Sequence, residues 1–447
     1  MQRFDRLLAS SCVLAATTIA HAQLQLDWMK NWGDQQFGEK AVDIALDPSD
    51  NIIVAGSQQH QWYGPGSTPY NVGHVWRFGP SGLPAGSYTY VGWVLEDDYE
   101  VEAVAADSEY MYYAVTEPSP VFVTVLEKRS LSGELVWNRT IEYWIFSSYD
   151  IDLDTQSNIY LCGRSNSTGS SGQLARYDTN GNEVWRKEFG TSEGTSSNRI
   201  RVDNAAGIYV CGSTYGDLGS ASMGMSDAYL ARLTENGEPI WFQQLGTPEH
   251  DAFTAIDIAP DSSLVVAGNT FGSLARPSAG QGDVIVVKYN ATGTMLWTVQ
   301  HGTAANETST DVKVDPEGSV YVLTDSFDVL SVEKYSSIGD QLWKYDLPGI
   351  AGNSRMVLDS NQNVLISGTA FGTFSGTAMG GLNAFLLKLN QSCYPDCNGS
   401  GSLNIFDYIC FGNAFGAGEP YADCDGNGSL NTFDYICFGN AYTVGCP

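Results

Sequence analysis

"NEVWRKEFGTSEGTSSNRIRVDNAAGIYVCGST" (residues 182–214), followed after a loop by "DAYLARLTENG" (227–237), is the stretch on which the fold turns. It holds four short segments rich in β-branched and aromatic residues, centred on Trp185, Ile200, Tyr209 and Leu230. Runs of this kind between clusters of Gly, Asn and Asp read as strands. The "TENG" link needs Gly or Asn at positive φ, as a hairpin turn does. The "VDNAAG" link is equally tight, and Asp203 is placed to cap its own turn.

The same pattern recurs on both sides, from residue 28 to residue 392. Downstream copies read "EPIWFQQLG…AIDIAPDSSLVVAGNT…DVIVVKYNATG" (238–293) and "TMLWTVQHG…DVKVDPEGSVYVLTDS…LSVEKYSSIG" (294–339). Trp28, Trp137, Trp185, Trp241, Trp297 and Trp343 mark six copies. A seventh, degenerate copy begins near Tyr88 ("SYTYVG") and continues through "EAVAADSEYMYYAVTEP" (102–118). Four strands per unit at intervals of roughly 50 residues predict the blades of a β-propeller, and seven units would close a ring. The expected class is therefore all-β, with a seven-bladed propeller over residues 23–392.

The phase of the repeat says how the ring closes. Each tight "TENG"-type hairpin joins its strand to the next Trp segment, so that Trp segment is the outer strand of the same blade. The chain opens on a lone Trp segment, "LDWMKNWG" (26–33), and the repeats end on "NAFLLKLN" (383–390) with no Trp segment after it. Residues 25–33 are thus expected to pair with residues 384–390 and remove an open sheet edge. With its Trp strand, "VD…G.IYV.G.T" hairpin and "KY…G" strand, the region resembles bacterial propeller-repeat proteins. That resemblance implies the fold and is nearly silent on function. "YDTNGNEVW" (177–185) is also similar to the tryptophan-docking repeats of quinoprotein dehydrogenases. The chain departs from those in having no adjacent cysteines and seven units, which speaks against a quinone cofactor.

Loop lengths localise a site. The long links at 215–226, 271–282 and 371–381 fall on one face with "TPEHDAFT" (247–254) and "TAANETST" (303–310). Binding residues concentrate in such loops on a rigid scaffold. The innermost strands carry charges where apolar residues are expected: Asp43, Asp150, Asp152, Arg199, Arg201, Asp257, Asp311, Lys313 and Arg355. Mixed signs at equivalent positions around a ring point to inter-blade ion pairs lining a wet channel; a ligand site at the channel mouth is the sharper alternative. No catalytic residues are assigned. His250 beside Asp251 is the best acid–base candidate, and a solvated loop accounts for the pair more simply. Cys162 and Cys211 occupy positions where other units have Ala55, Ala267 and Ser367, which reads as small buried filler rather than a redox pair.

The first residues, "MQRFDRLLASSCVLAATTIAHAQ", place Arg3 and Arg6 before an apolar run and end on "AHA" at Ala22. This is the anatomy of a secretory signal peptide over residues 1–22, and the mature protein is expected outside the cell or at its surface. No other apolar run is long enough to span a membrane. Acidic residues outnumber basic ones 51 to 22, a formal charge of −29, a surface that repels nucleic acid and anionic lipid, so neither is an expected partner.

The last segment, 393–447, is of another kind. "DCNGSGSLNIFDYICFGNAF" (396–415) is followed by a near copy, "DCDGNGSLNTFDYICFGNAY" (423–442). An EF-hand-type loop wants oxygen ligands at positions 1, 3, 5, 7, 9 and 12 and Gly at position 6. The first copy supplies Asp396, Asn398, Ser400, Ser402 (by its carbonyl), Asn404 and Asp407, with Gly401 at the turn. The second supplies Asp423, Asp425, Asn427, Ser429 (by its carbonyl), Asn431 and Asp434, with Gly428. Hard oxygen donors at this spacing suit Ca²⁺, so two calcium sites are expected, the second the tighter because it has one more carboxylate. Each loop leads into an apolar segment expected to be a helix. Cys393, Cys397, Cys410, Cys424, Cys437 and Cys446 suit a disulfide-stapled exported unit, and six cysteines allow 15 pairings. A clasp between Cys393 and Cys446 is one expectation. The duplicated loop–helix with Asp at position 12 resembles the type I dockerin module. That resemblance implies a Ca²⁺-dependent fold and a cohesin-like or cell-surface anchoring partner. It also implies contacts from loop positions 10 and 11, here Ile405, Phe406, Thr432 and Phe433. A non-catalytic propeller presenting its loop face to a polysaccharide or protein ligand is the expected function. A polysaccharide-degrading enzyme at the channel mouth is the alternative.

Overall fold

The computed structural model describes residues 23–32, 38–60, 70–89, 99–117, 123–141, 147–165, 171–203, 207–326, 329–348, 352, 354–374, 377–392, 396–397, 403–419, 422, 424 and 429–444. The expected leader and the Cys393–Cys446 clasp lie outside them. Contacts divide the chain into two compact units, Leu26–Asn390 and one containing Gln391–Pro447.

The larger unit is a ring of seven four-stranded antiparallel sheets. The chain opens on β1 (Gln23–Trp32). Blade 1 is β2 (Glu39–Leu46), β3 (Ile52–His60), β4 (Tyr70–Phe78) and β5 (Pro84–Thr89). Blade 2 is β6 (Glu100–Ala106), β7 (Tyr110–Glu117), β8 (Val123–Ser130) and β9 (Leu135–Ile141). Blade 3 is β10 (Ser147–Leu153), β11 (Ile159–Ser165), β12 (Ser171–Tyr177) and β13 (Glu183–Phe189). Blade 4 is β14 (Thr195–Asp203), β15 (Gly207–Thr214), β16 (Asp227–Leu233) and β17 (Pro239–Leu245). Blade 5 is β18 (Asp251–Ile258), β19 (Leu264–Thr270), β20 (Asp283–Tyr289) and β21 (Met295–His301). Blade 6 is β22 (Thr308–Val314), β23 (Val320–Ser326), β24 (Val329–Tyr335) and β25 (Gln341–Pro348). Blade 7 is β26 (Ser354–Leu358), β27 (Val364–Phe374) and β28 (Thr377–Ser392), with β1 hydrogen-bonded to β28 as its outer strand. The repeat phase therefore gives the closure correctly.

Burial explains the strand sequences. The two middle strands of a blade are covered on both faces by neighbouring blades, so they read as unbroken apolar runs. Tyr209, Val210, Cys211, Tyr229, Leu230 and Ala231 are all fully buried. Each large apolar side chain so covered contributes about 1.5–3 kcal/mol. Outer strands such as β17 are partly exposed and correspondingly polar.

Six inner strands carry a β-bulge at the same place, between Ala41 and Asp43, Val101 and Ala103, Ser148 and Asp150, Ser197 and Arg199, Phe253 and Ala255, and Ser309 and Asp311. A bulge adds one residue and re-aims the side chains that follow. Opposite three of these bulges stand Gly56, Gly212 and Gly268, where a Cβ would lie 1.8–1.9 Å from the facing carbonyl oxygen. Only glycine fits that approach, which accounts for the Gly after Ala55, Cys211 and Ala267 in the second strand.

The blade Trp residues lock the seams. Trp137, Trp185 and Trp297 donate from Nε1 to the carbonyls of Thr179, Glu235 and Ser337 in the hairpin turn of the next blade, at 3.2, 3.1 and 3.1 Å. Their rings lie against Gly181, Gly237 and Gly339, which hold φ of 77°, 75° and 93°. Positive φ requires glycine there, and the bare Cα admits the indole. At the closure Trp28 meets Gly82, and Trp32 packs on Trp76 and Phe78 with ring centroids 5.3 and 5.2 Å apart.

The smaller unit holds α1 (Ile405–Ala417) and α2 (Thr432–Val444). Phe411 and Phe438 stack at 4.1 Å in its centre. Tyr408 meets Phe438 edge-on and Tyr435 meets Phe411 edge-on, both at 5.1 Å, so the two copies pack reciprocally. Two disulfides, Cys397–Cys410 and Cys424–Cys437, tie each loop to its own helix.

Candidate functional site

The short hairpins are structural. Asp47 accepts from the amides of Ser49 and Asn51 at 2.9 and 3.0 Å, and Asp315 accepts from Ser319 at 2.7 Å. In both, the Asp side chain closes its own turn.

Of the long links, the segment 371–381 proves to be mostly a continuation of β27 and β28, which stay paired out to Phe374 and Thr377, whereas 215–226 and 271–282 are loops built by one device. In blade 4, Gln244 Oε1 accepts from the successive amides of Leu218, Gly219 and Ser220, while its Nε2 donates to Gly216 O and to Asp227 Oδ2. In blade 5, Gln300 does the same with Leu274, Ala275, Arg276, Gly272 O and Asp283 Oδ2. These loops are therefore held by satisfied hydrogen bonds. Between them His250 lies edge-on to Tyr215 and Phe271, at centroid distances of 6.2 and 6.4 Å. Tyr215, Phe271, Met223 and Met225 are exposed. His250 Nδ1 meets Ser226 Oγ at 3.0 Å, whereas Asp251 Oδ2 takes the amide and hydroxyl of Thr247. His250 and Asp251 are thus adjacent in sequence but engaged with different partners.

The expected charged residues line the channel. A cavity of about 390 Å³ is bordered by Asp43, Asp150, Asp152, Arg199, Arg201, Asp257, Asp311, Lys313 and Arg355. Most of the carboxylates also hold the next blade by its backbone. Asp43 accepts from Val104 N (2.8 Å), Asp150 from Ile200 N (3.0 Å), Asp152 from Val202 N (2.7 Å), Asp257 from Val314 N (2.8 Å) and Asp311 from Met356 N (2.9 Å). Arg201 adds an ion pair to Asp150 at 2.8 Å. The ring of charge is a ring of inter-blade ties, as the mixed signs implied.

The channel groups are perturbed accordingly. Burial pushes Asp152 up to about 6, opposed by Arg201. Burial also lowers Arg355 to about 10, with Arg199 adding repulsion. For Asp311 burial acts upward, but Lys313, Arg355 and Arg199 outweigh it and hold the carboxyl below its usual range. Glu102, the extra residue of the blade 2 bulge, is raised to about 7 by burial and by Glu100 beside it. Nothing in the sequence singled Glu102 out; its position before the bulge-borne Ala103 is visible only once the register is known. Cys162 and Cys211 are free, buried thiols whose pKa burial raises, Cys211 to about 12, so both behave as inert filler.

In the smaller unit the structure describes Asp396, Asn404, Asp407, Ser429, Asn431 and Asp434; Asn398, Ser400, Ser402, Asp423, Asp425 and Asn427 lie outside the described residues. Asn404 caps α1, accepting from Phe406 N at 2.9 Å, and Asp407 accepts from Asn404 N at 2.7 Å. Asn431 and Asp434 repeat both bonds at the start of α2, at 2.9 and 2.7 Å. This reciprocal arrangement is a capping box, which satisfies two amides at the start of each helix. Asp407 and Asp434 are fully buried. Among the described residues no three acidic, His or Cys side chains gather into a metal cluster; each loop would draw on its own set, Asp396 and Asp407 in the first and the Ser429 carbonyl and Asp434 in the second. Phe406 and Phe433 are 65% and 68% exposed, and Ile405 and Thr432 are exposed with them.

Residues 184–219 match the β-propeller repeat family known as SBBP. No curated protein matches the chain. Among solved structures it is similar to the Pan2 WD40 domain of Neurospora crassa, at 10% identity and TM-score 0.50, over 78% of this chain and 89% of that one. A chain of the mitotic checkpoint complex aligns at 13% identity and TM-score 0.49, over 87% of this chain and 97% of that one. The periplasmic gluconolactonase of Pseudomonas aeruginosa aligns at 13% identity and TM-score 0.48, over 70% and 86%. No helix among the described residues is long and apolar enough to cross a membrane. At such identities a likeness speaks to fold alone, and the chain is a seven-bladed β-propeller bearing a β-propeller repeat, followed by a disulfide-linked helical pair.

Proposed function

We propose that the protein is an exported, non-catalytic binding propeller whose loop face takes a polysaccharide or protein ligand, and whose tail is a calcium-dependent, dockerin-like anchor. The observation that carries the ligand face is the exposed group Tyr215, Phe271, Met223 and Met225 around His250, on loops fixed by Gln244 and Gln300. Exposed aromatics on rigid loops are unusual unless something covers them. A pre-ordered platform also loses little entropy on binding.

For the tail, support comes from the repeated capping geometry and from Phe406 and Phe433, equivalent residues left exposed at both helix starts. A cohesin-like or cell-surface partner would cover them. The second loop has the larger share of carboxylates, so Asp434→Ala should lose more calcium affinity than Asp407→Ala in calorimetry of the full chain. Equal losses would remove that ranking.

A second reading is favoured by Glu102. A carboxyl raised to about 7 beside Glu100 has the protonation a general acid needs for glycan cleavage. A polysaccharide array read for both binding and reducing-end release separates the two. Binding without release, abolished by the double substitution Tyr215→Ala and Phe271→Ala, supports the binder. Release that disappears in Glu102→Gln supports the enzyme.

A further inference from the structure

We propose that the seam between blades 4 and 5 holds a hard divalent cation, Ca²⁺ by its chemistry, between Asp227 and Asp251, and that the seam between blades 5 and 6 repeats the site with Asp283 and Glu307. The sites are independent of the tail and of the loop-face ligand.

Asp227 opens β16 and Asp251 opens β18, and both are essentially fully buried. Their second oxygens have defined partners: Asp227 Oδ2 takes Met223 N (2.9 Å) and Gln244 Nε2 (2.6 Å), and Asp251 Oδ2 takes Thr247 N (2.6 Å) and Thr247 Oγ1 (2.9 Å). Their first oxygens, Asp227 Oδ1 and Asp251 Oδ1, are buried without a hydrogen-bond partner of good geometry. The Thr270 hydroxyl is the one further group facing the Asp251 carboxyl, and Asp227 repels it. Among the described residues neither acid forms an ion pair. Leaving a carboxylate oxygen buried and unmatched is costly, so two from adjoining blades at one seam call for a positive partner.

The next seam repeats this in part: the Ala279 amide donates to both Asp283 oxygens, at 3.3 and 3.1 Å, so the unmatched oxygen there belongs to Glu307 alone. Asp283 Oδ2 takes Gln300 Nε2 at 2.8 Å, Glu307 Oε1 takes the amide of Thr303 at 3.1 Å and its hydroxyl, and Glu307 Oε2 is buried and unmatched. The two carboxylates converge on the bare face of Gly302: a Cβ there would lie 2.3 Å from Asp283 Oδ1 and 3.1 Å from Glu307 Oε2. Gly246 stands in the same place at the first seam, where a Cβ would lie 2.1 Å from Asp227 Oδ1. In both places the carboxylate lies where a side chain would begin, so only glycine fits there. Arg276 reaches only the Gly302 carbonyl, at 3.4 Å.

The seam between blades 3 and 4 is a built-in control. By register, Ser171 and Thr195 replace the two acids. There Thr195 Oγ1 bonds Thr214 Oγ1 at 3.1 Å and accepts from Thr191 N at 3.1 Å, so nothing is left unmatched. At the seam between blades 7 and 1 the register places Asn383 and Glu39 at the two positions, so the acid pair is confined to the two seams on either side of blade 5. Main-chain carbonyls and water would complete the six to eight oxygens that Ca²⁺ takes.

The test uses the full chain with the tail sites silenced by Asp407→Ala and Asp434→Ala, dialysed against radioactive calcium. Two ions per chain, falling to one with Asp227→Asn plus Asp251→Asn, is the expected result, together with a ring melting temperature that EGTA lowers by several degrees. No bound ion, or an unchanged count after those substitutions, overturns the proposal and means the acids are kept protonated instead. Circular dichroism of the isosteric variant guards against misfolding, and the count on the unsubstituted ring needs no seam variant at all. Loss of calcium from the tail alone would bear on the anchor and leave the seams untouched.

Discussion

The ring and the helical pair are both made of repeated sequence, yet they solve the problem of stability differently. In the ring each blade buries its middle strands against two neighbours, and the unit contains only free cysteines among its described residues. In the helical pair the buried set is Phe411, Ala414, Ala422 and Phe438, and two covalent bridges supplement it. A repeat that can be stacked seven times grows its own core; a repeat that occurs twice cannot, and needs staples.

The contrast can be broken most forcefully at the disulfides. Replacing Cys410 and Cys437 by Ser should cost about 3 kcal/mol per bridge and abolish amide protection over residues 403–444 while leaving the ring's exchange unchanged. Segment-resolved hydrogen exchange reads it; a protected tail after substitution would mean its small core suffices. Next in size is the ring's closure, where Trp32→Ala removes the packing on Trp76 and Phe78. Thermal unfolding should show a loss of about 3 kcal/mol confined to the ring, with new exchange in β4 and β28.

Glu102 sharpens the contrast through pH. Its carboxyl rises from 4.5 to about 7 on folding, so its contribution is fully present below about 4.5 and is lost as pH climbs through 7. Glu102→Gln should therefore match the parent at pH 4 and exceed it by on the order of 2 kcal/mol at pH 8. Denaturant unfolding at the two pH values decides it, and an equal difference at both would mean the carboxyl is not buried in its charged state. Smallest is the helix cap: Asn404→Ala should cost about 1 kcal/mol, seen as faster exchange in the first turn of α1 only.

Much of the ring was legible because its grammar is local. Strand periodicity, the turn glycines and the position of each Trp relative to the hairpin are read within a dozen residues, and they fix blade, phase and closure. The charges on the inner strands were visible too, but not their task, since a carboxylate that ties the next blade's amide acts across some fifty residues of sequence. The Gln three places after Trp241 and Trp297 was the available sign of the loop device and went unread, because an exposed-looking amide on an outer strand resembles any other. In the tail the loop spacing was legible while the bridges were not: six cysteines leave 15 pairings open, and only the packing of Cys397 near Cys410 chooses.

The outer strand of blade 7 comes from the opposite end of the chain from its partners, and Ala41 exchanges hydrogen bonds with Thr369 across 328 positions. The first strand of the ring to be made is thus the last to find its place. Until the ribosome has delivered nearly the whole ring, blade 7 has no outer strand and blade 1 no neighbour on one side, so the wheel cannot be completed during synthesis. Its slowest folding step should be this final joining, and any factor that shields the waiting β1 would set the yield of finished protein.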